Sequence, residues 1–339
     1  MLALTCPTCA HRVFFENDLC LNCSTSLGFE PGRSAMVAVT GANDDQWARC
    51  ANQMVAACNW VVPGTEAGTL CRSCALTRTR PDDGNGDARA EFLDAEAAKR
   101  RLVAQLIDLG LPIVAFTESD EGLAFDLLSS RFDQVMIGHE DGLITLDLAE
   151  ADDAHRERVR AELGEAYCTL LGHLRHEVGH YYWMVLVRDG QRLDEFRERF
   201  GDERADYGNA VSSHYGSDGP SGWEHEHVSA YATMHPWEDW AETFAHYLHI
   251  RDTLQTAVES GVGVDDPDAE GQRVPVEGVE GGPFDELVRQ WIALSAALNM
   301  LNRSMGEPDL YPFVLAPTVI AKLAWVDSLV RHRARTPAA

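Results

Sequence analysis

The stretch RHEVGHYYW, residues 175–183, lies inside an apolar helical pattern and contains His176-Glu177-Val178-Gly179-His180. Positions four apart on a helix sit one turn above each other, so the two imidazoles share a face with Glu177 beside them. Leu170, Leu171, Leu174, Val178, Tyr182 and Val185 form the surrounding stripe, where two histidines and a glutamate are costly to bury without a partner. The motif therefore predicts zinc held by His176 and His180, with Glu177 as the general base that takes a proton from a zinc-activated water. The competing explanation is a set of surface or satisfied core histidines, because three fixed letters make a short signature.

Two histidines leave zinc short of a ligand, and a second helix must supply it. The stretch YATMHPWEDWAETFAHYLH, residues 231–249, carries Glu238 and Glu242 one turn apart. With Glu238 as third ligand, Glu242 faces the same way and accepts the free N–H of a ligating histidine, fixing its tautomer. Glu242 itself, Asp239, His235 and the His225/His227 pair remain as alternatives. For Glu238 alone, the helix dipole already favours a carboxylate near an N-terminus.

The cysteines define a different region. Eight of the nine precede residue 75: Cys6-x-x-Cys9, Cys20-x-x-Cys23, Cys50, Cys58 and Cys71-x-x-Cys74. Eight thiolates suit two tetrahedral, structural zinc ions, for which Cys-x-x-Cys turns act as knuckles. Buried or redox-active cysteines are the alternative. The spacing leaves open which pairs share an ion. Few long apolar runs occur before residue 80, so metal must replace much of a missing core. Cys168, in an apolar helical run, reads as packing.

The chain of 339 residues carries 54 acidic and 28 basic side chains, a net charge of -26, which opposes phosphate backbones and anionic membranes. No apolar run is long enough to span a bilayer, and MLALTCPTCAHR lacks the features of a signal peptide. The expectation is a cytoplasmic protein whose cysteines bind metal, since cytosolic thiols stay reduced.

These readings give an α+β chain: a double-zinc ribbon over 1–80, a linker over 81–90 that overlaps the Pro/Gly/Asp-rich stretch 77–89, and a mostly helical zincin-like domain with a small sheet over 91–339. Expected elements are a helix over 90–109, extended segments near Ile113 and Leu123, and a hairpin turning at His139-Glu140-Asp141-Gly142. Helices follow over 153–187, 191–200, 236–260, 284–301 and 317–333, with loops over 213–221 and 261–283.

The whole chain resembles the zinc-binding metallopeptidases that carry an N-terminal zinc-ribbon domain. CNWVVP, LRHEVGHYYW and SAYATMHPWEDWAETFAHYLHI carry the likeness. More broadly, HEVGH with a downstream Glu-x-x-x-Glu is similar to the gluzincin peptidases. The lethal-factor type of gluzincin is a closer likeness, with Tyr231, Glu238, Ala241, Glu242 and Phe244 matching its second motif. That resemblance implies a peptide or protein substrate and a role for Tyr231 in polarising the scissile carbonyl or stabilising the oxyanion. Trp237 stands where the usual gluzincin Asn precedes the glutamate, a departure from that pattern.

One catalytic and two structural zinc ions are thus expected, with the ribbon placing substrate or a protein partner and no nucleic acid or membrane involved. Two other functions compete. A non-catalytic adaptor would keep zinc as a staple and bind a protein partner. A di-iron carboxylate bundle would use Glu177-x-x-His180 and Glu224-x-x-His227.

Overall fold

The computed structural model describes residues 2–41, 46–82, 86–130, 135–151, 169–215, 221–265, 273–274, 282–311 and 314–335. Cys168 and the first part, 153–168, of the helix expected over 153–187 lie outside the described residues, as do 216–220 and much of 261–283. The chain packs as two compact units, Met1–Arg156 and Glu157–Ala339.

The first unit begins with three short antiparallel hairpins: β1 (Leu4–Thr5) with β2 (Arg12–Val13), β3 (Leu27–Glu30) with β4 (Ala35–Ala38), and β5 (Trp47–Arg49) with β6 (Val61–Pro63). Ala10 and Ser24, each directly after the second cysteine of a Cys-x-x-Cys turn, take left-handed backbone angles (φ 58° and 60°) that let the knuckles fold back. Apolar support comes from Phe29 with Phe15 and Trp60, at ring separations of 4.7 and 5.3 Å, and from the buried cluster Val37, Val39 and Val61 with Trp47 against it.

A four-stranded sheet follows in the order β7-β8-β10-β9, built from Thr77–Thr79, Ala124–Leu128, Leu143–Asp147 and Gly138–Glu140. β8 runs parallel to β7 and β10, while β9 and β10 form a hairpin. Glu140 pairs with Leu143, so the turn is the two residues Asp141-Gly142, both with positive φ (47° and 92°) as a type I′ turn requires. A Cβ on Gly142 would also meet Glu121 O and Gly122 O at 2.6 Å.

Helix α1 (Gly86–Asp108) buries Glu96 and Lys99, whose Nζ donates to Glu96 Oε1 at 2.6 Å and to the hydroxyl of Thr77 on β7. Strand β7 and the start of α1 therefore occupy both ends of the stretch read as a linker. The sheet, too, belongs to the unit that contains the cysteines. Strand pairing across sequence is invisible to local composition.

The second unit is helical. Helix α2 (Leu170–Tyr182) is capped by Thr169, whose Oγ1 accepts from Gly172 N at 2.9 Å, and runs on as a π-helical turn over Trp183–Arg188. Then come α3 (Leu193–Phe200), α4 (Tyr207–Tyr215), α5 (Pro236–Glu259), α6 (Phe284–Met305) and α7 (Pro317–Arg335). Helix α4 corrects the expected loop, since 213–215 are helical. Its start is fixed by Asp206, whose Oδ1 accepts from Asn209 N at 3.0 Å. Helix α5 starts as its proline predicts, with His235 Nδ1 accepting from Trp237 N at 3.1 Å. Buried Trp240 packs against Phe200, Phe244 and Trp325 at ring separations of 5.7 to 5.9 Å, joining α3, α5 and α7.

Candidate metal centres

Helices α2 and α5 cross at Gly179. A Cβ on Gly179 would lie 3.0 Å from Ala241 Cα and 3.1 Å from Ala241 O, so the bare backbone permits the approach. The neighbouring His180 is thereby brought to Glu238. Glu238 Oε2 lies 3.0 Å from His176 Nε2 and 3.5 Å from His180 Nε2. Edges of a tetrahedron about zinc, at ligand distances of 2.0 to 2.1 Å, are about 3.3 Å. The donor set therefore fits zinc, and all three residues are buried.

Glu242 reaches the other side of the same imidazole, its Oε1 at 2.6 Å from His176 Nδ1. An ionised carboxylate only accepts, so Nδ1 carries the hydrogen and Nε2 is left to face Glu238. Burial disfavours a charged imidazole, yet the hydrogen bonds to Glu238 and Glu242 hold the His176 pKa well above its ordinary value. Burial likewise opposes ionisation of both glutamates, while His176 draws both pKa values down. Positive charge is what this position demands.

Glu177 is buried as well. Burial raises its pKa, but the hydrogen bond from His173, with His176 and His180 nearby, lowers it to about 2. His173 Nε2 lies 3.0 Å from Oε1, whereas Oε2 is buried and has no hydrogen-bond partner among the described residues. Tyr231, in a 3₁₀ turn (Tyr231–Thr233), places its ring 5.9 Å from that of His176.

The alternatives for the third ligand are engaged elsewhere. Asp239 Oδ2 accepts from Lys322 Nζ at 2.6 Å, His235 caps α5, and His227 lies 3.8 Å from Asp239. His225 is exposed. Residues Trp223–His225 form a single 3₁₀ turn, which removes the second helical Glu-x-x-His of the di-iron alternative.

Two neighbours of the site escape the sequence reading. His173 stands four residues before Glu177, a spacing that marks a helical neighbour. Tyr207 donates its hydroxyl to Glu238 Oε1 at 3.0 Å from 31 positions away, and no local pattern points to it.

The cysteines gather in chain order: Cys6, Cys9, Cys20 and Cys23 in one group, Cys50, Cys58, Cys71 and Cys74 in the other. Sulfur separations of 3.6 Å (Cys6–Cys23), 3.7 Å (Cys9–Cys20) and 3.7 Å (Cys58–Cys71) approach the roughly 3.8 Å edge of a tetrahedron with 2.3 Å Zn–S bonds. Both groups fit zinc.

Residues 88–329 match the family described as "Putative zinc-binding metallo-peptidase", and residues 3–85 match a zinc-ribbon domain. The chain is 50% identical over 327 residues to an uncharacterized protein of Mycobacterium bovis and to two of Mycobacterium tuberculosis, covering 96% of this chain and 94% of each relative. No solved structure matches. With its N-terminal ribbon and its helical His176/His180/Glu238 site, the chain belongs to this zinc-binding metallopeptidase family.

Proposed function

We propose that the protein is a zinc-dependent metallopeptidase of gluzincin type that hydrolyses peptide bonds, with Glu177 as general base. One observation carries the reading: Glu238 Oε2 meets both imidazole Nε2 atoms, while the neighbouring Glu177 keeps one buried oxygen unbonded. His176, His180 and Glu238 would hold the ion, and Glu242 orients His176. Bound zinc supplies Lewis acidity that polarises the carbonyl and acidifies water. Glu177 accepts the proton of the attacking water and passes it to the leaving amine as the C–N bond breaks, so water adds across the peptide bond. Tyr231 would donate to the carbonyl oxygen as it gains charge.

The two cysteine groups would hold structural zinc, giving three ions per chain, and the ribbon domain over 1–80 would position substrate or a protein partner. Reduced thiols of this kind suit the cytoplasm. No helix among the described residues is long and apolar enough to cross a membrane. The net charge of -26 speaks against a nucleic-acid partner.

The test is hydrolysis of an unbiased peptide library by the zinc-loaded protein and by Glu177→Gln. A loss of about 10²- to 10⁴-fold in the variant is expected; equal cleavage by both removes Glu177 as the base. Retained zinc with no cleavage by either protein would favour the adaptor.

A further inference from the structure

The two oxygens of Glu177 are used differently. Oε1 lies 3.0 Å from Nε2 of His173, one turn earlier on α2; Oε2 is buried without a hydrogen-bond partner among the described residues. An ionised carboxylate only accepts, so the imidazole Nε2 carries the hydrogen and donates it. The terminal torsion of a glutamate is broad and roughly two-fold. A donor fixed on one oxygen removes that freedom and leaves the other as the acceptor.

Resting on the metallopeptidase reading, the geometry assigns His173 as a positioning residue for Glu177: its imidazole tethers Oε1 so that Oε2 alone is presented to the attacking water. The pair is also an ordinary i,i+4 contact, of the kind that steadies any helix slightly. A purely structural pair would change stability and leave turnover alone. His173 keeps a quarter of its side-chain surface exposed while Glu177 keeps 7%, so replacing the histidine need not open the core.

The experiment compares zinc-loaded full-length wild type, His173→Leu, His173→Gln, Glu177→Gln and the His173→Leu/Glu177→Gln double variant. Expected for His173→Leu is a kcat loss of about 10- to 100-fold with KM and zinc content unchanged. The amide N–H of His173→Gln should restore most of it. In the Glu177→Gln background His173→Leu should cost no more than about twofold, because its effect passes through the carboxylate. Wild-type turnover in His173→Leu, or the same loss with and without Glu177, overturns the assignment.

Nitrogen-15 NMR of the histidine rings supplies a readout free of turnover. A slowly exchanging His173 Nε2–H that is lost in Glu177→Leu is expected. Its absence, or its persistence in that variant, overturns the tether whether or not peptide is cut. A tethered N–H in a protein that cuts no peptide upholds the tether and counts against hydrolysis.

Discussion

Trp240 donates its indole N–H to the carbonyl oxygen of Gly179 at 2.8 Å, across the crossing of the histidine-bearing and glutamate-bearing helices. The same glycine lets Ala241 approach within what would be 3.0 Å of a Cβ. A side chain placed there meets helical backbone, which cannot step aside. Gly179→Val should therefore separate α2 from α5, lower stability by about 1–3 kcal/mol and weaken zinc retention at His180 and Glu238. Thermal melts and chelator competition would check both effects. Unchanged zinc affinity in a destabilised variant would mean that the crossing does not set the site.

Glu238 and Glu242 lie one turn apart on α5 yet should fail differently. Glu238→Ala removes a ligand candidate, and total zinc should fall from about three ions per chain to two. Glu242→Gln keeps the three candidates and removes only the acceptor for His176 Nδ1. Zinc should stay bound at saturation but with about 10- to 100-fold weaker affinity. Elemental analysis and competition titration separate the outcomes; three ions in Glu238→Ala would discard Glu238 as a ligand.

Lys322 reaches from α7 to Asp239 Oδ2 at 2.6 Å and to Glu226 O at 2.8 Å, and both side chains of the ion pair are buried. Removing one buried partner strands the other charge, at about 3–5 kcal/mol. Lys322→Met should show that loss in urea denaturation, and Asp239→Leu/Lys322→Met should recover much of it. A double variant no more stable than the single would contradict the pairing.

The cysteine groups differ in access. Cys23 is exposed and Cys9 half-buried, whereas Cys50, Cys58, Cys71 and Cys74 are all buried. A maleimide with a chelator should therefore label Cys23 and Cys9 first, and the second group only after the hairpins around it unfold. Peptide mapping by mass spectrometry reads the order. Simultaneous labelling of all eight would show that the two centres open together.

The legible features were those written in short-range spacing. The Asp141-Gly142 turn, the proline that starts α5 and the four-residue offsets of His176/His180 and Glu238/Glu242 all act within one or two turns of chain. Contacts between distant segments were not legible. Tyr207 finds Glu238 only because α4 packs near the start of α5, and α4 itself is a short run of nine residues that begins Tyr-Gly-Asn and holds two serines, with little to announce a helix; Asp206 as its cap was the available sign. The grouping of the cysteines depended on how the hairpins stack. The π-helical turn after Tyr182 follows from no propensity rule.

Synthesis runs from the N-terminus, so Asp239 leaves the ribosome 83 residues ahead of the ammonium group that neutralises it. Until α7 emerges, the residue beside Glu238 holds a carboxylate that cannot be buried cheaply, and the crossing with α2 is disfavoured. An unfinished chain should therefore be a poor hydrolase. Translation-arrested chains ending before residue 317 ought to retain the ribbon's metal and cut no peptide, and a cutting one would show that the closing helix is dispensable.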